Sequence, residues 1–262
     1  MNYSRGFQLG LKSYSEAFSF IFKNGLGWFF IFPFLLNVLF FFVGFYSIAS
    51  WGDVLVSDLS DWMGVEEWDF WGASVLAGSI KWIVWIVLRL LFFIVYAYVG
   101  GYIILIVMSP VFAFLSEKTE RIITQSDIPF NMAQFVKDIW RGMILAMRNL
   151  VVEMFFTVIL FVLSFIPIIG YFTAIVLVLL SAYFYGFSFL DYTFERRRFD
   201  VKTSVKYMRR NRGLAIGNGL VFALILMIPL IGVSIAGFMS IVSVVAATIA
   251  ARKALEEEKV LG

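Results

Sequence analysis

A chain of 262 residues with 61% hydrophobic and only 15% charged side chains cannot clothe itself in water, since soluble domains carry about 25% charged residues. Without cysteine or histidine it has no disulfide, no thiol nucleophile, no imidazole base or metal ligand and no histidine pH sensor. The net charge of +3 matters less than where the charges lie, and the long apolar runs define an all-α integral membrane protein.

In chain order, residues 3–24 mix aromatic and polar positions without a spanning run, which predicts an interfacial amphipathic helix over 1–27. No apolar core and small-residue cleavage site of a signal peptide precede it, so the first hydrophobic span is expected to target the protein and stay in it. A transmembrane helix follows over 28–50. The segment 51–72 carries Asp53, Asp58, Asp61, Glu66, Glu67 and Asp69 with no cation, and its tryptophans suit an interfacial belt. It reads as an acidic external loop. A long second transmembrane helix is predicted over 73–108, interrupted only by Lys81 and Arg89.

Beyond Pro110 the chain becomes a polar, amphipathic cytoplasmic segment over 109–148. Two helical hairpins are predicted, over 149–194 and 213–251, separated by a basic cytoplasmic loop over 195–212 and followed by a charged tail over 252–262. Each hairpin holds a Pro-x-x-Gly, in FIPIIGYF and in MIPLIGVS, so Pro167 and Gly170 recur as Pro229 and Gly232. Proline cannot continue a helical ladder and glycine supplies the freedom to reverse, so each motif marks a tip. The tips are almost wholly apolar. Re-entrant hairpins and fully spanning pairs are both compatible with arms of this length.

Short loops rich in Lys and Arg remain in the cytoplasm. That rule puts both termini and the 195–212 segment inside and the acidic loop outside. Beside membrane arms, Arg196, Arg197, Arg198, Lys202, Lys206, Arg209, Arg210 and Arg212 are expected to attract anionic lipid headgroups. No nucleic-acid-binding fold surrounds them. The spacing Gly213-x-x-x-Gly217, then Gly219, suits close helix packing, as do Gly100 and Gly101.

The segments KNGLGWFFIFPFLLNVLF, SPVFAFLSEKTE, FIPIIG, the stretch from LSAYFYG to KYMRRNRG, and MIPLIG occur in the order and spacing of a known family. The chain resembles the CysZ-type sulfate permeases and their relatives, the etoposide-induced-protein 2.4-like membrane proteins. The resemblance implies two long transmembrane helices, partly penetrating hairpins, symmetric homo-oligomers and passage of sulfate or a related oxyanion toward cysteine biosynthesis. The family carries two arginines after a Gly-hydrophobic pair. Here Gly25 and Leu26 keep that pair, but Gly27 and Trp28 stand in place of the arginines.

By this resemblance Asn24, Gly25, Leu26 and Gly27 form the candidate substrate loop, with Lys23 as a nearby cation. Free backbone amides at a helix start can hold an anion; the same residues also serve as an ordinary turn. Glu117 and Glu120, three apart on one helical face, suggest a gate, a proton relay, a general acid–base pair or a solvated turn with internal ion pairs, with Arg121 and Lys118 beside them. Asn37, four residues after Pro33, faces either a helix partner or pathway, or satisfies the carbonyl that Pro33 frees. Asp191 is expected to pair with Arg196 to Arg198. No catalytic residue, metal ligand or cofactor motif is expected, and no G-x-x-x-x-G-K-[ST] loop for ATP occurs. The alternative to a permease is a non-transporting structural or interaction protein on the same scaffold.

Overall fold

The computed structural model describes residues 1–62, 64, 73–125, 132–228 and 231–261. Among them the chain forms α1 (Tyr3–Lys23), a short 3-10 segment (Leu26–Phe30), α2 (Ile31–Trp62), α3 (Ala73–Val107) and α4 (Ser109–Thr124). It continues with α5 (Met132–Ser164), α6 (Ile169–Arg196), α7 (Val201–Arg210), α8 (Arg212–Leu226) and α9 (Gly232–Leu261). The all-α membrane architecture read from the sequence is the one observed.

Its surface is inverted relative to a soluble protein. Phe155, Val158, Phe161 and Val162 on α5 and Phe172 and Ile175 on α6 stand exposed, while Glu153, Asp191 and Asn218 are buried. Apolar side chains outside and polar ones inside suit a lipid solvent. Stretches of 26, 28 and 27 residues in α5, α6 and α9 are long and apolar enough to cross a membrane. The 15-residue α8 is shorter, reaching about 22 Å against a hydrocarbon core of about 30 Å.

The middle of α9 is the centre of the fold. Ile241, Val244, Val245, Ala246, Ala247, Ala250 and Ala251 are wholly buried there, packed by α1, α2, α3, α4, α6 and α8. Helix α1 buries Gly6, Gly10, Ser13, Ala17 and Ile21, a stripe at three- and four-residue spacing. Its aromatics Tyr3, Phe18 and Phe22 remain exposed. Small residues let backbones meet where lipid offers no hydrophobic drive. A Cβ on Gly213 or Gly217 of α8 would lie 2.2 Å from the Tyr3 carbonyl oxygen or 2.3 Å from that of Phe7. Two positions on, Gly219 faces α6 instead, where a Cβ would approach the Ala182 carbonyl oxygen to 1.9 Å. The glycine run in α8 thus serves two crossings.

Both hairpin tips use their glycine alike. The Gly170 amide donates to the Ile166 carbonyl at 3.0 Å, and the Gly232 amide to that of Ile228 at 2.9 Å. A Cβ would meet the Ser164 carbonyl oxygen at 2.4 Å in the first tip and that of Ile225 at 2.5 Å in the second. Ile168 has a positive φ of 74°, which a β-branched residue disfavours. Pro229 and Leu230 lie outside the described residues. Gly170→Ala is expected to destabilise the protein by about 1–3 kcal/mol, read as an earlier unfolding midpoint in detergent; an unchanged midpoint would contradict this tip geometry.

Three segments read as loops or tail carry helix. Helix α2 continues through Asp53, Asp58 and Asp61 to Trp62, so the first part of the acidic stretch is helical; helix extension costs little once nucleated. Residues 65–72, with Glu66, Glu67 and Asp69, lie outside the described residues. Much of the basic stretch is α7, started by Asp200, whose carboxylate accepts from the Thr203 amide at 2.9 Å. The Thr203 side chain, and after it this amide, hold the Asp200 carboxyl below its ordinary pKa. The charged tail is helical too, continuing α9 to Leu261. It is tied to α1 by Lys253 to Glu16 at 2.5 Å and Arg5 to Glu257 at 2.8 Å.

Candidate functional site

The glycine loop 24–27 is a sharp bend. Helix α1 and the run starting at Leu26 meet at 108°. The Asn24 side-chain amide donates to the Phe20 carbonyl at 2.9 Å, closing the last turn of α1. Gly25 has φ of 67°, the left-handed region where glycine fits without strain. Leu26 is buried and anchors the following 3-10 turn, while Lys23, Asn24 and Gly25 are exposed. Nothing lies within 4 Å of where a Gly25 Cβ would be, so the loop borders open space. The Asn24 and Gly25 amides donate back to the Phe20 and Phe22 carbonyls of α1; the amides that follow begin the turn leading into α2, and amides that begin a helix have no acceptor within it.

A cation from α4 approaches the two aromatic residues that follow this loop. The Lys118 ammonium lies 5.7 Å from the centroid of the Trp28 ring and 6.0 Å from that of Phe29, within the range of a cation–π contact. Trp28 is one of the two residues that, by the resemblance, stand in place of arginine. The 62° bend between the end of α3 and α4 directs α4 toward the loop. Lys118 was grouped with the α4 carboxylates in the sequence, and only the folded geometry places it beside residue 28.

Glu117 and Glu120 part company despite their spacing. Glu117 pairs within α4 with Arg121 at 2.5 Å. Glu120 crosses to α6, taking Arg196 at 2.6 Å and Arg197 at 3.6 Å. Arg196 also donates to Ser116 Oγ at 2.9 Å, and Ser116 shares a hydrogen bond with Thr248 of α9 at 2.7 Å. The guanidinium thus joins α6 to α4, and Ser116 extends the network from α4 to α9. Asn37 is bound across an interface: its amide donates to the Ser234 carbonyl of α9 at 3.1 Å, and Pro33 and Asn37 flank Gly237 of that helix.

Asp191 does not pair with the arginines that follow it. Its carboxylate binds Arg141 of α5 through two bonds, at 2.7 and 3.2 Å. Arg196 lies five residues ahead, about 140° around the helix, whereas Glu195 shares the Asp191 face. Arg141 accordingly also reaches Glu195 at 3.6 Å, and it donates to Ser204 of α7 at 2.9 Å. Two buried carboxylates share one guanidinium. Deeper in α5, Glu153 is fully buried and accepts from the Tyr102 and Ser181 hydroxyls. The sequence signal for it was a lone carboxylate within an apolar run. Nearby polar pairs repeat this pattern: Asn149 donates to Ser188 at 2.9 Å, and Tyr14 bridges the Asn218 carbonyl at 2.5 Å and Ser243 at 2.9 Å.

Among the described residues no group of three or more carboxylates could hold a metal ion. The arrangement offers cations, amides and ion pairs that bind and release charge. These features define an integral membrane protein with a polar interior and a cation-flanked glycine bend at the start of a long helix. Residues 13–236 match the family described as Sulfate transporter CysZ/Etoposide-induced protein 2.4, and the chain belongs to that family. It is 28% identical over 228 residues to the Sulfate transporter CysZ of Pseudomonas aeruginosa, covering 85% of this chain and 87% of the relative. A relative of the same name from Pseudomonas paraeruginosa matches at the same identity and coverage. One from Pseudomonas fluorescens is 23% identical over 225 residues, covering 83% of this chain and 84% of the relative.

Proposed function

We propose that this chain is a sulfate or related oxyanion permease of the bacterial inner membrane, supplying sulfate for assimilation into cysteine. The likeness to named sulfate transporters over 85% of the chain carries this reading. An anion is held at the loop of Lys23, Asn24, Gly25, Leu26 and Gly27 by helix-start amides, with Lys118 supplying the charge that arginines supply elsewhere in the family. Asn37 lines the way beyond. Glu120 and Arg196, with Glu117 and Arg121 beside them, form an ion-pair gate whose opening exchanges carboxylate for substrate. The chain needs no ATP of its own. It works as a homo-oligomer, with both termini in the cytoplasm and the apolar hairpin tips against lipid or a second copy.

Expression in a bacterium unable to import sulfate tests this directly. The wild-type chain is expected to restore growth on sulfate as sole sulfur source. Lys118→Gln removes one charge-assisted contact, and sulfate demand for half-maximal growth is expected to rise about tenfold. A non-transporting scaffold on the same fold is favoured by Gly27 and Trp28 replacing the arginine pair. It would give no growth with a correctly inserted, stable protein.

A further inference from the structure

The basic stretch splits into two sets. Arg196 and Arg197 turn inward to Glu120. Lys202, Lys206, Arg209 and Arg210 turn the other way and, with Arg148 of α5, line a cleft of about 480 Å3 whose floor includes Val201 and Val205. On α7 these cations stand three and four residues apart on one exposed face, where like charges repel by a few tenths of a kcal/mol per pair. The opposite face fixes the helix: Ser204 and Met208 are buried, and Ser204 accepts from Arg141.

No ion pair among the described residues engages Lys202, Lys206, Arg209 or Arg210. The nearest acid along α7 is Asp200, close enough to Lys202 to feel its charge and already bonded to the Thr203 amide. Arg148 donates one bond, to Asn149 at 3.0 Å. Tyr183 of α6 lies within electrostatic reach of Arg148, Arg209 and Arg212, so cations from separate elements converge around one phenol. Along α5, Trp140, Ile144, Met147 and Val151 are exposed beside Arg148. An aromatic followed by an apolar face marks the membrane interface, so the cleft opens where headgroups lie.

We propose that this cleft is a second anion site, distinct from the glycine bend, that binds a tetrahedral oxyanion: a phosphate carried on a lipid headgroup or free in solution. The anion relieves the repulsion along α7 and bridges it to α5. The site does not depend on sulfate transport.

The test uses the full chain in nanodiscs, in two arms. In the first, discs mix phosphatidylglycerol with phosphatidylcholine, and native mass spectrometry counts retained phosphatidylglycerol. In the second, phosphatidylcholine discs are titrated with radiolabelled inorganic phosphate at constant ionic strength. Saturable binding in either arm, weakened about tenfold or more by Lys206→Gln with Arg209→Gln and also by Arg148→Gln, supports the site and identifies its source. These exposed α7 changes leave the unfolding midpoint equal or higher, because they remove repulsion. Lys118→Gln leaves binding here unchanged. Equal binding by wild type and variants in both arms overturns the proposal. So does loss with the α7 pair alone while Arg148→Gln binds fully, because the cleft then is not the binding element.

Discussion

Arg141→Ala is expected to cost about 3–5 kcal/mol of stability, the largest effect of any charge removal among the described residues. Arg141 is held by two bonds to Asp191, with Glu195 at 3.6 Å and Ser204 at 2.9 Å. Both carboxylates are buried. Removing the guanidinium leaves two acids in a poorly solvating interior, and that desolvation sets the size of the loss. The double change Arg141→Met with Asp191→Leu is expected to recover part of it, because the buried Asp191 carboxylate is removed together with its partner. Equilibrium unfolding in detergent reads both. A single variant as stable as wild type, or a double variant worse than the sum of its parts, would contradict the role assigned to this pair.

The second large effect is steric. A Cβ on Gly186 of α6 would lie 1.9 Å from the Ala215 carbonyl oxygen, and one on Gly219 of α8 equally close to that of Ala182. Both obstacles are backbone, so no rotamer change relieves them and the helices must separate. Gly186→Ala and Gly219→Ala are each expected to lose at least about 1–3 kcal/mol. Together they should lose less than the sum, because one separation accommodates both. Gly78, in the exposed first part of α3 with nothing within 4 Å of its would-be Cβ, is the contrast. Gly78→Ala is expected to gain about 0.5–1 kcal/mol from helix propensity. If all three variants behaved alike, α6 and α8 would not pack through these glycines.

The class of protein was legible because it rests on composition and run length, which do not depend on how helices pack. The run read as 73–108 is helical over Ala73–Val107, since a long apolar run holds one helix up to the bend before Pro110. The repeated Pro-x-x-Gly was also legible, and the structure supplies its reason in the missing room around Gly170. Helix α7 was harder to see because its periodicity is carried by cations over only ten residues. The Arg141 to Asp191 pair joins positions fifty residues apart, and helical phase alone decides that Asp191 turns from Arg196. At the candidate site the bend around Gly25 could be read locally. The approach of Lys118 could not, because it depends on the angle at which α4 leaves α3.

The central claim is that this chain moves sulfate, and uptake into vesicles containing only the purified protein tests it most directly. Radiolabelled sulfate should accumulate above empty vesicles without ATP, saturate with concentration, and fall to lower apparent affinity in Lys118→Gln. Uptake no greater than in empty vesicles, for sulfate and related oxyanions alike, from protein shown to be folded and inserted, would contradict it.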